Sequence, residues 1–270
     1  MSQYRFPRAR LLRIALAIAR CQPRSLGADA AAGLRGASPP PLALYTRYLP
    51  TTGPFVLVGN HYERPGLWAG WGAMIVSAAV RDAGGPGREL HWLMTDELLE
   101  LHVGRLSVPR AWIRALLARL AHVYDFGQVS AREAGVVGGA GGLRAAARYL
   151  AAGAPVGVLP EGTASVALHE ARPGVGAFLA WLTRGGTPLV PYGVAERDGV
   201  LTARFGPPFR LASVRGDKAA RDRALREAVM VQIARLLPPE LWGHYRAAVM
   251  EADLPPQPPS HCGKGEDRPS

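Results

Sequence analysis

"FVLVGNHYERPGLWAGW", residues 55–71, decides the fold. Phe55-Val56-Leu57-Val58 is apolar at every position, not at alternate ones, which marks a strand buried on both faces and therefore a sheet covered by helices on both sides. The strand stops at Asn60-His61, and Pro65 then suits the first turn of a helix predicted over 66–85 and closed by Gly84-Gly85. Chemistry in such sheets collects at the carboxyl ends of the strands. His61 stands there, and an imidazole with an unperturbed pKa near ~6.5 can take a hydroxyl proton around neutrality. The blander reading, a histidine hydrogen-bonded into a turn, stays open on this segment alone.

The same punctuation recurs along the chain. "LHWLMT" (90–95), "VGVLPEGT" (156–163) and "TPLVPYGVAE" (187–196) are further strand candidates, and "GVLTARFGPPF" (199–209) adds a strand and a turn. Helical patterns fall at 96–101 from Asp96, at 109–123, from Leu143 to about 152, at 174–186 and at 217–237, the last with Met230, Ile233 and Leu237 on one face. Strands alternating with helices predict an α/β fold with a mostly parallel central sheet flanked by helices. Residues 1–50 read as an N-terminal amphipathic helix followed by a Pro/Ala/Gly-rich linker, 51–250 as the folded domain, and 251–270 as a tail of disordered composition.

Length, charge and cysteine usage narrow the function classes. A chain of 270 residues that is 48% hydrophobic buries a sizeable core. Its 32 Lys+Arg against 21 Asp+Glu give a net charge of +11, so an anionic partner is expected: nucleic acid, a phospholipid surface or a phosphorylated small molecule. No nucleic-acid reader module is recognisable, and no specific nucleic acid is expected. Cys21 and Cys262 make neither a disulfide framework nor a four-cysteine zinc site, and a reducing compartment follows. No apolar run is long enough to span a bilayer. "RARLLRIALAIARC" (8–21) sets Leu11, Leu12, Ile14, Leu16 and Ile18 among arginines, the profile of a helix lying in a membrane interface or packed on its own domain.

Other signals in the chain are weaker. "GGAGG" before Leu143 has Arg144 where the third glycine of a dinucleotide loop belongs, and it lacks a P-loop lysine. No G-x-S-x-G and no H-E-x-x-H is present, so neither a serine-hydrolase elbow nor a zinc enzyme is expected. "PEGT" (160–163) offers a carboxylate, backbone N–H groups and a hydroxyl in one turn, enough to seat a polyol or a phosphate ester, although such residues are also common in surface turns.

The order of the pieces, "GNH" (59–61), "VLPEGTAS" (158–165) and "PLVPYGV" (188–194), resembles the glycerolipid acyltransferase family, the PlsC-like lysophosphatidic acid acyltransferases, over roughly residues 50 to 250. The resemblance implies transfer of a fatty acyl group from a thioester, acyl-CoA or acyl carrier protein, to a hydroxyl of a lysophospholipid or glycerol-phosphate-like acceptor. It gives His61 the role of general base and sets Asn60, Glu161, Gly162 and Thr163 about the acceptor. Neither a bound cofactor nor a metal is implied. The chain departs from the family's N-H-x-x-x-x-D motif, because Gly66 stands where the aspartate belongs. Glu63 is then the nearest carboxylate in sequence, a second catalytic candidate, with Asp96 and Glu100 as others. "HVYDFGQ" (122–128) also lacks the family's phosphate-binding arginine; Arg132 lies further on, and Arg64 and Arg172 are candidates to replace it. A cytoplasmic protein, peripheral at the inner face of the membrane, is expected. The alternative is a homologue impaired in catalysis that binds lipid or a partner at the membrane surface.

Overall fold

The structure, a computed structural model, describes residues 4, 7–95, 102–103, 106–129 and 140–252. Asp96, Glu100 and Arg132, the helix expected from Asp96, and the tail beyond Ala252 lie outside the described residues. In chain order the elements are α1 (Arg8–Ala19), α2 (Leu26–Leu34), β1 (Leu42–Leu44), β2 (Val56–Gly59), α3 (Gly70–Gly84), β3 (His91–Thr95), β4 (His102–Val103), β5 (Leu106–Ser107), α4 (Arg110–Val123), β6 (Gly127–Val129), α5 (Ala140–Ala151), β7 (Val156–Val158), α6 (Val175–Leu182), β8 (Leu189–Arg197), β9 (Val200–Phe205), α7 (Lys218–Ala234) and α8 (Arg246–Ala252).

Seven strands form one sheet in the order β1-β9-β8-β2-β7-β3-β6. Every neighbouring pair is parallel except β8–β9, a hairpin turned at Asp198-Gly199. The fold is therefore α/β with a mostly parallel central sheet flanked by helices. β2 sits inside the sheet between β8 and β7 with all four residues buried, as its unbroken apolar run requires.

The sheet separates two cores. Val56, Val58, Val156 and Val158 pack with Phe178 and Leu179 of α6 and with Met230 and Ile233 of α7. Phe55 and Leu57 point to the other face, against Trp71, Ile75 and Val76 of α3. Alternate residues of one strand thus anchor opposite layers. Burying one such aliphatic side chain stabilises the fold by about 1.5–3 kcal/mol, so this strand fixes both layers at once.

Two segments differ from expectation. The stretch 23–54, read as a linker with one short helix, carries α2, which packs on α3, and β1, which pairs with β9. Ser25 explains the helix start, since its side chain accepts from the Ala28 N–H at 2.8 Å. The helix predicted from residue 66 begins instead at Gly70. Arg64 and Leu67 exchange backbone hydrogen bonds across Pro65-Gly66, and Gly66 has φ +82°. Pro then Gly at the two central positions is the signature of a type II turn, whose third residue leaves the helical region.

Candidate active site

β2 and β7 run parallel with Val58 opposite Val158. His61 and Glu161 each lie three residues beyond those valines, so the register delivers them side by side at the carboxyl edge of the sheet. Glu161 then joins the two loops. One carboxylate oxygen accepts the backbone N–H of His61 at 3.0 Å, and the other accepts that of His169 at 2.7 Å. The backbone continues the contact: Ser165 donates to the His61 carbonyl, and Glu63 donates to the Ser165 carbonyl, both at 2.9 Å. Asn60 secures the other side, its side-chain amide exchanging bonds with the Val194 backbone of β8 at 2.8 and 2.7 Å.

Glu161 is only 3% exposed. Burial pushes its carboxyl up from the ordinary range, against the His169 and His61 amides, which pull it down. Sequence reasoning made it a group that seats the acceptor; its observed partners are the protein's own amides. The carboxylate is occupied in holding His61 in place.

His61 itself is half-buried, and its Nδ1 is buried without a hydrogen-bond partner. Burial lowers its pKa from the ordinary 6.5, and the Glu63 carboxylate partly offsets this. The ring is therefore neutral at pH 7, the state a general base needs. An unpaired buried polar atom costs about 1–3 kcal/mol.

Glu63 acts on that ring through its charge and makes no hydrogen bond to its Nδ1. Its Oε2 accepts the Ala69 N–H at 3.3 Å, at the start of α3, where a negative charge suits the helix dipole. Gly66 has a φ that L side chains adopt only with strain. Arg64 is paired with Glu196, its Nε donating to Oε2 at 2.6 Å. That neutralises a charge expected to be available for a phosphate. Arg172 differs: its exposed guanidinium donates to the Thr163 hydroxyl at 3.1 Å. Gly162, at φ +61°, lets that guanidinium lie across the turn where a side chain would collide with it. Thr163 and Arg172 thus set a hydroxyl and a guanidinium side by side next to the Glu161 turn.

Two cavities lie on this side of the molecule, and His61 lines the narrower one. A broad one of about 660 Å³ is lined by Glu63, Arg64, Leu67, Trp68, Trp71 and Ser165 among others. A narrower one of about 110 Å³ is lined by His61, Tyr62, Trp68, Ala73, Trp92, Leu159 and Tyr192 among others. Trp68 belongs to both. Sequence reasoning missed Trp68, Tyr192 and His169. Tyr192 could have been found from "VPYGV", where an aromatic residue interrupts a small-residue strand. His169 contributes only its backbone N–H, for which no sequence signal exists.

No family model matches the chain, and no curated protein matches it. Among solved structures, the crystal structure of the 1-acyl-sn-glycerophosphate (LPA) acyltransferase PlsC from Thermotoga maritima is similar at 14% identity, with a TM-score of 0.44, over 86% of this chain and 79% of that one. A likeness of that size leaves the site to be judged on its own geometry.

Proposed function

We propose that the protein is an acyltransferase that moves an acyl group from a thioester, on coenzyme A or acyl carrier protein, to a hydroxyl of a lysophospholipid or glycerol-phosphate-like acceptor. The observation that carries this reading is the Glu161 bridge, which holds the loop of a neutral imidazole at the wall of the narrow cavity, with Trp68 shared between that cavity and the broad one. His61 takes the proton as the acceptor oxygen attacks the thioester carbonyl carbon. The tetrahedral intermediate collapses by breaking its C–S bond, and the departing thiolate recovers the proton from the imidazolium. Each atom is accounted for without a metal or a covalent enzyme intermediate. A thioester is already activated, so alignment and one base supply most of what the reaction needs.

The acceptor enters the broader cavity. Arg64, engaged by Glu196, shapes its wall. Thr163, next along the chain from the Ala164-Ser165 part of the lining, and Arg172, bonded to Thr163, offer a hydroxyl and a guanidinium to the phosphate from outside the cavity. The lipid comes from a membrane surface. α1 packs on α4, and the pair exposes Leu11, Leu12 and Leu16 together with Leu116 and Trp112, the last 74% exposed. Arg8, Arg13 and Arg20 interleave with those leucines, and net charge of +11 favours anionic headgroups. Among the described residues no helix is long and apolar enough to cross a membrane. The protein acts as a peripheral one at the cytoplasmic face.

The unpartnered Nδ1 of His61 supports a second reading, in which the chain binds lipid or thioester with impaired turnover. Product analysis separates the two. Purified protein is incubated with butyryl-CoA, palmitoyl-CoA or the corresponding acyl carrier protein, together with lysophosphatidic acid, lysophosphatidylcholine or glycerol 3-phosphate. Acylated acceptor found by mass spectrometry is the expected result. Binding of thioester without any new ester identifies the impaired homologue.

A further inference from the structure

The narrower cavity beside His61 has a construction that limits what it accepts. Its walls are rigid at the inner end. Trp92 and Tyr192 meet edge to face, with ring centroids 6.4 Å apart and planes at 82°, and the Trp92 indole N–H donates to the Ser77 hydroxyl at 2.9 Å. Both rings are almost fully buried. Each lies over a glycine in the sheet, Trp92 on Gly157 and Tyr192 on Gly59, in the space where a Cβ would collide with it. The rings are therefore set into the sheet and cannot retreat to lengthen the cavity. At the outer end stands Trp68, 69% exposed, its ring laid on Gly70. The polar side chains of the lining are mostly committed elsewhere. Asn60 spends both ends of its amide on Val194. Burial pushes the Tyr192 hydroxyl up, so it stays neutral. What remains is an apolar recess with an imidazole at its side.

We infer that this recess is the acyl-chain site and that it admits short acyl groups only, with Trp92 and Tyr192 as its end wall and Trp68 as its movable side. The inference rests on the acyltransferase reading and names the substrate class of that site. A volume of about 110 Å³ holds roughly four water-sized groups at ~30 Å³ each, and lies below the ~150 Å³ at which an apolar cavity takes benzene. Acetyl to butyryl chains fit. A palmitoyl chain would need either the end wall removed or an exit past Trp68.

The test is a comparison of kcat/KM for acetyl-, butyryl-, hexanoyl- and palmitoyl-CoA with lysophosphatidic acid as acceptor, repeated with acyl carrier protein thioesters. Butyryl transfer is expected to exceed palmitoyl transfer by about tenfold or more, since a single misplaced methylene in a closed pocket is worth about that much. Trp68→Ala, at an exposed position, is expected to keep the fold and to raise the palmitoyl-to-butyryl ratio by about tenfold. Ala73→Leu, which fills the recess, is expected to depress butyryl transfer more than acetyl transfer. Palmitoyl transfer equal to or faster than butyryl transfer overturns the length limit and leaves the acyltransferase standing. A ratio unmoved in Trp68→Ala overturns the role of Trp68 as the movable side. Failure of every thioester, of any length and on either carrier, overturns the acyltransferase reading and this inference with it.

Discussion

At His61 two environmental effects compete, and burial wins over the pull of Glu63, leaving the imidazole with a pKa below the ordinary 6.5. A lowered folded value means that the residue contributes stability present above the unfolded pKa and lost as pH falls through the folded one. Two consequences can be measured. The acid limb of kcat/KM should have its midpoint below pH 6.5, and unfolding midpoints recorded across the same range should fall less steeply in His61→Asn than in the parent protein. An acid limb centred above that value would contradict the burial argument. Glu161 has the opposite sign: its raised carboxyl contributes most below the ordinary carboxylate range, and that contribution fades as pH rises through the folded value. Glu161→Gln keeps one acceptor oxygen but turns an NH₂ toward the second backbone amide. We expect a loss of about 1–3 kcal/mol in denaturant unfolding, together with reduced activity, because one buried N–H loses its partner. The importance of these two residues was legible from their places after apolar strands. The division of labour was not, because it depends on amides contributed by His61 and His169, which are invisible in side-chain identity.

Among the elements, the long or fully apolar ones were readable and the short ones were not. β2, β3, β7 and β8 announced themselves by largely apolar runs ending in polar or turn residues. β1 and β6 are only three residues each, too short to show a period, and they exist because β9 and β3 offer them a pairing edge. The start of α3 was misplaced because Pro65 suits a helix as well as it suits a type II turn. Gly66 settles the matter in favour of the turn by adopting φ +82°. The same turn sets Glu63 at the start of α3, where its carboxylate accepts the Ala69 N–H. α1 and α4 present the clearest prediction at this scale. Replacing Leu12 and Trp112 together with Glu should abolish retention on vesicles containing phosphatidylglycerol in a flotation assay while leaving the far-ultraviolet spectrum unchanged. Retention equal to that of the parent protein would exclude this face as the membrane contact.

At the scale of the whole molecule, the register of one parallel strand pair does most of the positioning. Val58 opposite Val158 brings residues far apart in the chain to the same edge, and the Glu161 bridge locks them there with His61 on the wall of the narrow cavity. Sequence order foretold that convergence, since both loops follow strands of one parallel sheet. The cavities were not foreseeable: their size depends on aromatic rings resting on glycines of neighbouring strands, a relation between residues that no local pattern records. The central claim is that His61 is the base for acyl transfer from a thioester. It is tested most directly by the rate of free thiol release from acyl-CoA and acyl carrier protein thioesters in the presence of lysophosphatidic acid, with the parent protein and with His61→Ala after both are shown to unfold cooperatively. We predict release by the parent protein and a fall of at least about 10²-fold in the variant, the lower end of what a positioned general base contributes. Equal rates in the two proteins would contradict it.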